Sequence, residues 1–223
     1  TAATALYSTY SGGGSSYCTL YGCTYYYFQN AAGGHNLYQV NNCATERTGT
    51  NAYTDVAPST TFLSYNYLSG GGDCIGQAIQ PLTSNKTTLH NLANSLTAAN
   101  STAGHLGLAW GWYMISPNFG YLWPAGSQPA AYGRSNLVKA VILMTDGEFN
   151  IQYYNGVLSM DSINGTSSQK INQNAVNGSS QNQAVALCDA IKAPANDTSL
   201  YTVGFDLNGD TNAIDLLQNC ATA

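Results

Sequence analysis

A short apolar run in the second half of the chain constrains the fold more than any other feature of the sequence. Residues 137–144 read LVKAVILM, with one lysine inside an otherwise apolar stretch. The run is too short for a typical helix and suits a central strand of a parallel sheet, which is buried on both faces. It therefore predicts a parallel sheet at the core.

Helical and strand patterns alternate around that run. We predict helices at residues 87–96, 103–115, 181–192 and 212–220, and a second strand at residues 199–205. Strands that alternate with helices are typical of a parallel sheet with helices packed on its faces. We therefore expect an α/β fold with a doubly wound, mostly parallel sheet.

The first third of the chain has a different composition. Residues 1–72 are rich in Gly, Ser, Tyr and Asn, and short strands are predicted at residues 24–29 and 61–68. We expect a loop-rich, disulfide-stapled subdomain or insertion at residues 1–72 and an α/β core at residues 73–223. Residues 150–182 have no clear period and are predicted to be a long surface excursion.

Charge is scarce along the chain. Asp, Glu, Lys and Arg make up 8% of the residues, against about 25% in ordinary soluble proteins. The 11% aromatic content and the net charge of -5 argue for a folded chain. The scattered Lys and Arg residues form no basic stripe, so nucleic acid is not an expected partner. No apolar run reaches the roughly 18 residues of a transmembrane segment.

The cysteines are even in number and locally placed. No CxxC pair or Cys/His cluster has the spacing of a zinc site, so we predict disulfides rather than metal-bound thiols. Disulfides predict an extracellular, cell-surface or periplasmic location. The pairings that we favour are Cys18–Cys23, Cys43–Cys74 and Cys188–Cys220.

An acidic residue follows the central apolar run. Asp146 comes directly after Met144 and Thr145, and ligands of open α/β sheets bind at the carboxyl ends of the parallel strands. A carboxylate at that point suits a ligand or a hard cation. The alternative is a turn, since Asp146 and Gly147 form a common turn pair.

Several long segments resemble one protein family. Residues 140–150, AVILMTDGEFN, closely resemble the fourth strand of von Willebrand factor type A (vWA) domains, whose closing Asp belongs to a metal-ion-dependent adhesion site. Residues 74–89, 101–124 and 187–207 look like the vWA region of TadG-like proteins of bacterial tight-adherence (Flp) pilus systems. NNCATER at residues 41–47 looks like the cysteine-containing segment of that family, so the resemblance covers roughly residues 41–223.

The resemblance implies a vWA, Rossmann-like fold and a divalent-cation site for Mg or Ca. It makes Thr102 the second motif of that site and Asp146 the third, with Ser101, Gly147 and Glu148 as ligand-binding neighbours. The first motif, Asp-x-Ser-x-Ser, is absent from these 223 residues. Either the first strand lies upstream of Thr1 or this variant has lost its metal.

The resemblance also implies partners. They are a protein or surface ligand, pilus components, and a complementing upstream fragment that would supply the first strand together with its motif. The Tyr-rich amino-terminal third is the alternative source of the missing strand. The implied role is adhesion or assembly.

A function of another class would use the aromatic residues. Trp110, Trp112 and Tyr113 suit stacking on a sugar, so a secreted carbohydrate-binding protein or hydrolase is the alternative. However, glycosidases need paired carboxylates and the chain has only two glutamates, while no Gly-x-Ser-x-Gly nucleophile elbow occurs. His105, in an apolar helical stretch, is expected to be a packed residue. We predict that the chain is not an enzyme.

Overall fold

The computed structural model describes residues 25–41, 43–58, 66–69, 77–97 and 101–222. They belong to two compact units. The sheet unit is formed by the described parts of Gly49–Phe62, Ile75–Asn150 and Ser180–Ala223, and the hairpin unit by those of Thr1–Thr48, Leu63–Cys74 and Ile151–Ser179. The division into residues 1–72 and 73–223 stays a prediction, whereas the segment after residue 150 joins residues of the first third.

The sheet unit is built around two parallel strands. In chain order these strands are β4 (Lys139–Thr145) and β7 (Thr198–Gly204), and they pair from Lys139↔Thr198 to Thr145↔Gly204. Both were predicted within two residues of these bounds. The fold is therefore mixed α/β with a small parallel sheet, and the wider doubly wound sheet stays a prediction.

Three helices of the sheet unit pack near this sheet. They are α2 (Gly104–Ile115), α3 (Ser180–Ile191) and α4 (Thr211–Cys220), all predicted to within a residue or two. Helix α2 packs against β4 and α3, while α4 packs against β7 and α3. Strand β4 alternates between buried and exposed residues, so these helices cover one of its faces and leave the other uncovered. That alternation corrects the expectation of a strand buried on both faces.

Helix α1 (Lys86–Ser95) lies in the same unit but outside the core. The Asn85 side chain caps its start by accepting a hydrogen bond from the Thr88 amide at 3.1 Å. None of its residues is buried. Its predicted leucine stripe therefore forms but packs against little.

The hairpin unit is antiparallel. Strands β1 (Tyr25–Gln29), β2 (His35–Asn41) and β3 (Asn66–Ser69) form a sheet in the order β1-β2-β3. Strand β2 was not predicted, since its sequence HNLYQVN has few apolar residues. Residues 61–65 of the predicted second strand lie outside the described residues.

The segment 151–179 is a packed part of the hairpin unit, and the expectation of a surface excursion is wrong for it. It contains the hairpin β5 (Tyr153–Tyr154) and β6 (Val157–Leu158), turned by Asn155-Gly156 with φ values of 46° and 86°. Val157 and Ile171 are fully buried. Strands of two residues are too short to show an apolar period, which is why the sequence pattern did not predict this hairpin.

Side-chain hydrogen bonds supplement apolar packing in this segment. Ser159 and Ser162 are buried, and the Ser162 hydroxyl accepts a hydrogen bond from the Gln152 amide at 3.1 Å. The Ser159 hydroxyl lies 2.6 Å from the Asp161 carboxylate. Polar residues thus fill positions that a periodicity argument assigns to apolar ones.

A disulfide bond joins the last two helices. Cys188 on α3 and Cys220 at the end of α4 form the predicted disulfide, and both are fully buried. Cys43 is also disulfide-bonded. The remaining cysteines of the predicted pairs, Cys18, Cys23 and Cys74, lie outside the described residues. Among the described helices, none combines the length and the apolar character needed to cross a bilayer.

Removal of the disulfide should cost a large part of the stability. Its loop spans 32 residues, which corresponds to about 3–4 kcal/mol of loop-closure entropy in the unfolded chain. We expect the double variant Cys188→Ala, Cys220→Ala to lose that much free energy of unfolding in urea. A loss below about 1 kcal/mol would show that the cross-link does little for this fold.

Candidate functional site

The carboxyl ends of the two parallel strands lie at the same edge of the sheet. Thr145 ends β4 opposite Gly204, and the Phe205 amide donates to the Thr145 carbonyl at 3.2 Å, which extends the ladder by one bond. Asp146 follows and is exposed. The predicted acidic residue therefore sits where ligands bind in open α/β sheets.

A side-chain turn shapes the chain after Asp146. The Thr145 hydroxyl accepts a hydrogen bond from the Gly147 amide at 3.3 Å and lies 3.0 Å from the Gly147 carbonyl. Gly147 was predicted to contact the ligand. Its backbone amide and carbonyl are both in hydrogen-bond contact with the Thr145 hydroxyl instead. The turn alternative for Asp146-Gly147 is compatible with the exposed position of Asp146.

Asn150 ties this loop to the segment that precedes α2. The Thr102 amide donates to the Asn150 side-chain oxygen at 2.8 Å, and the Asn150 amide donates to the Thr102 carbonyl at 2.9 Å. The two bonds are reciprocal. They bring the segment carrying Ser101 and Thr102 against the loop that carries Asp146, Gly147 and Glu148.

The Gly104 backbone lies close to the Phe149 ring, and this contact also stabilises the junction. Phe149 is buried, and a Cβ atom built on Gly104 would lie 2.0 Å from two of its ring carbons. Any larger residue at this position would displace the ring. Gly104 therefore lets the first turn of α2 accept the loop after β4.

Asn150 and Gly104 were both missed by sequence reasoning. Each lies inside a segment that carries the family resemblance, at residues 140–150 and 101–124. The position of Asn150, four residues after the Asp that follows the strand, is a usable signal. The amide side chain of Asn can form hydrogen bonds that a backbone group would otherwise form. The glycine signal is weaker because other glycines of α2 have no such contact.

Oxygen atoms at this junction are available for a ligand. Among the described residues, nothing forms a hydrogen bond or ion pair with the carboxylates of Asp146 and Glu148 or with the Thr102 hydroxyl. Hard cations such as Mg and Ca prefer such oxygens. The described part of the chain contains no group of three His, Cys, Asp or Glu residues that would hold a metal. The oxygen atoms of Thr102 and Asp146 are thus of the type that binds a hard cation, but these two residues do not provide a full set of ligands.

Three of the remaining residues with candidate chemistry are in the core, while Trp110 is half-buried with its ring 5.8 Å from that of Tyr113. His105 is buried, as predicted, with Nδ1 2.6 Å from the Ser180 hydroxyl. Trp112 and Tyr113 are also buried, and the Tyr113 ring stacks on Phe119 at 4.1 Å between centroids. The rings of Trp112 and Tyr113, packed in this way, present no open platform to a sugar.

A second polar cluster lies at the opposite end of β4. The Asp55 carboxylate accepts hydrogen bonds from Ser116 at 2.5 Å, Tyr132 at 2.7 Å and Asn118 at 3.1 Å. Trp112 Nε1 in turn donates to the Tyr132 hydroxyl at 3.1 Å. Burial, reinforced by the Asp55 charge, raises the pKa of Tyr132 to about 12.

Lys139 completes this cluster. Its ammonium donates to the carbonyls of Ile115 at 2.6 Å and Ala130 at 2.7 Å, and lies 5.1 Å from the centroid of the Tyr132 ring. Burial lowers the pKa of Lys139. The cluster holds the segment around residue 55 and the end of α2 to the start of β4, which is a structural role.

Comparison with protein-family models, with curated proteins and with solved structures finds no match.

Gly104 should be intolerant of a methyl group. We expect Gly104→Ala to lower the free energy of unfolding by about 1–3 kcal/mol, because the Phe149 ring must move. Gly107→Ala, in the same helix and with nothing within 4 Å of its added Cβ, should instead stabilise by up to about 1 kcal/mol. Equal effects of the two substitutions in urea unfolding would contradict the packing described for Phe149.

Tyr132 should make the fold sensitive to alkaline pH. Its pKa of about 12 in the folded chain exceeds the value of about 10 for an unfolded tyrosine. The stability that depends on its neutral form is complete below pH 10 and is lost as the pH rises through 12. We expect Tyr132→Phe to narrow the difference in unfolding free energy between pH 8 and pH 11, and Tyr201→Phe, at an exposed ring, to leave it unchanged.

Proposed function

We propose that this chain is a vWA-type adhesion or assembly protein of a tight-adherence pilus system, resembling TadG. It binds a protein or surface ligand at the carboxyl edge of β4 and β7, with the help of a divalent cation. The observation that carries this proposal is the reciprocal Thr102–Asn150 pair, which joins the two segments assigned to the metal site by the resemblance.

The proposed cation is held by the Asp146 carboxylate and the Thr102 hydroxyl. Mg and Ca need about six or more oxygens, so these two groups leave coordination positions for water and for an acidic group of the ligand. A bound cation supplies positive charge that attracts such a group. Asn150 positions Thr102, while Glu148, Ser101 and Gly147 border the ligand.

The complete fold in this proposal is the doubly wound vWA sheet. The Thr222 hydroxyl accepts a hydrogen bond from the Leu200 amide at 2.8 Å, and the Thr222 amide donates to the Leu200 carbonyl at 2.8 Å, so the outer edge of β7 is partly occupied. Among the described strands, β4 pairs only with β7. Its other edge is the place for an additional strand, supplied by a complementing fragment or by the Tyr-rich first third.

An adhesive role agrees with the chemistry of the site. Its exposed groups are oxygen atoms that bind and orient an ion, and His105 and Ser180, the pair that resembles a base and a nucleophile, are both buried. Such a site suits binding without turnover. The buried disulfide suits an extracellular, cell-surface or periplasmic location.

The carboxylate of Asp146 should be required for attachment. Loss of a charge-assisted contact costs about 1.5–3 kcal/mol, so we expect Asp146→Ala to weaken ligand binding about ten- to a hundredfold. Surface attachment and pilus number would be measured in cells that produce the variant, with circular dichroism of the purified chain to confirm folding.

Asp215→Ala is the matched control, because Asp215 is an exposed carboxylate on α4. It makes the same change in net charge and should leave attachment intact. Chelation should reduce attachment of the wild type, and added Mg or Ca should restore it. Attachment by Asp146→Ala at the wild-type level would contradict the proposal, and chelator-resistant binding on a glycan array would favour a carbohydrate-binding protein.

A further inference from the structure

A buried hydrogen bond joins the first turns of α2 and α3. His105 Nδ1 lies 2.6 Å from the Ser180 hydroxyl, across 75 residues of sequence. The exposed fraction of the side chain is 1% for His105 and 0% for Ser180. In the protein interior such a bond is stronger than at the surface, and removal of one partner leaves the other with a desolvation cost. The pair therefore holds the first turn of α2 against α3.

The start of α2 depends on contacts with other segments for its position. Ala103, which precedes the helix, has no side chain that could cap it. The start of the helix is instead held at two points, because Asn150 bonds to Thr102 and Ser180 bonds to His105. Thr102 and His105 are near neighbours in the chain, so a shift of the turn at either point moves Thr102 as well.

The same two contacts lie at the ends of the segment 151–179. The chain leaves the sheet unit after Asn150 and returns to it at Ser180, and both of these flanking residues bond to the start of α2. A hydrogen bond depends on direction as well as distance. The pair of His105 and Ser180 therefore fixes the orientation of the turn, which an apolar contact of the same size would leave undetermined.

We propose that His105 and Ser180 are positioning residues that keep Thr102 in its hydrogen-bonded place at Asn150, and thereby keep its hydroxyl ready for the cation. This role rests on the proposed function, because it assigns the pair to the site at the carboxyl edge. Both side chains are buried, so they act through the turn of α2 and do not contact the ligand. Replacement of residues that orient a metal ligand typically weakens metal binding about ten- to a hundredfold.

Hydrogen exchange at the Thr102 and Asn150 amides tests the positioning directly. Both amides donate within the reciprocal pair. We expect Ser180→Ala to accelerate their exchange about tenfold, because the start of α2 loses one of its two contacts. His105→Leu, an apolar side chain of similar size, should do the same. His105→Asn, whose amide places a polar atom near the position of Nδ1, should retain most of the protection.

Ser116→Ala is the matched control. Ser116 is also fully buried and lies at the opposite end of α2, where its hydroxyl donates to Asp55 at 2.5 Å. This substitution removes the same atom from an equally buried place and leaves both contacts at the start of α2 intact. Exchange at the Thr102 amide should stay near the wild-type rate. Equal acceleration by Ser180→Ala and Ser116→Ala would reflect a general loss of stability and would overturn the proposal.

Surface attachment separates this inference from the proposed function. In variants that circular dichroism shows to be folded, Ser180→Ala should weaken chelator-sensitive attachment about tenfold, and Ser116→Ala should leave it at the wild-type level. Chelator-resistant attachment of the wild type would contradict the proposed function, and the exchange rates would still decide whether the pair holds Thr102. Faster exchange in Ser180→Ala together with undiminished chelator-sensitive attachment would reject the positioning role.

Discussion

The parallel pairing of β4 with β7 is the constraint on which the sheet unit depends. Seven residues of each strand pair in register, and the described core helices α2, α3 and α4 pack on the same side of them. The disulfide between Cys188 and Cys220 then fixes the end of α3 to the end of α4. Because the two strands run in the same direction, their carboxyl ends lie at one edge; Asp146 follows β4 there, and Asn150, four residues later, pairs with Thr102.

Hydrogen bonds from uncharged hydroxyl and amide donors, some of them to carboxylates, take over much of what ion pairs do in more charged proteins. With 8% charged residues, the chain anchors its irregular segments through hydroxyl and amide groups, as around Asp55 and Ser159. Buried groups of this kind must be satisfied, since a lost partner costs about 1–3 kcal/mol. Such networks therefore specify loop positions that apolar contacts alone would leave undetermined. The buried ammonium of Lys139 follows the same rule, because it donates hydrogen bonds to two carbonyl oxygens.

The regular elements of the second half could be predicted from sequence because their signals are local. The run that forms β4 and the apolar spacing in α2 and α3 depend on residues close in the chain, and the observed bounds follow the expected ones. The β5–β6 hairpin gives no such signal, since each strand has two residues and the turn rests on Asn155-Gly156. Its buried serines appear as surface residues to any hydrophobicity argument.

The candidate site could be predicted only in part. Asp146 follows from its place at the end of a strand, and the family resemblance added Thr102. What joins them depends on contacts between residues far apart in sequence: the 48-residue separation of Thr102 and Asn150, and the fit of Phe149 on Gly104. A residue pattern carries no record of such contacts unless the fold is already known. The uncovered face of β4 is a similar case, since the apolar run of residues 137–144 also suits a strand that is buried on both faces.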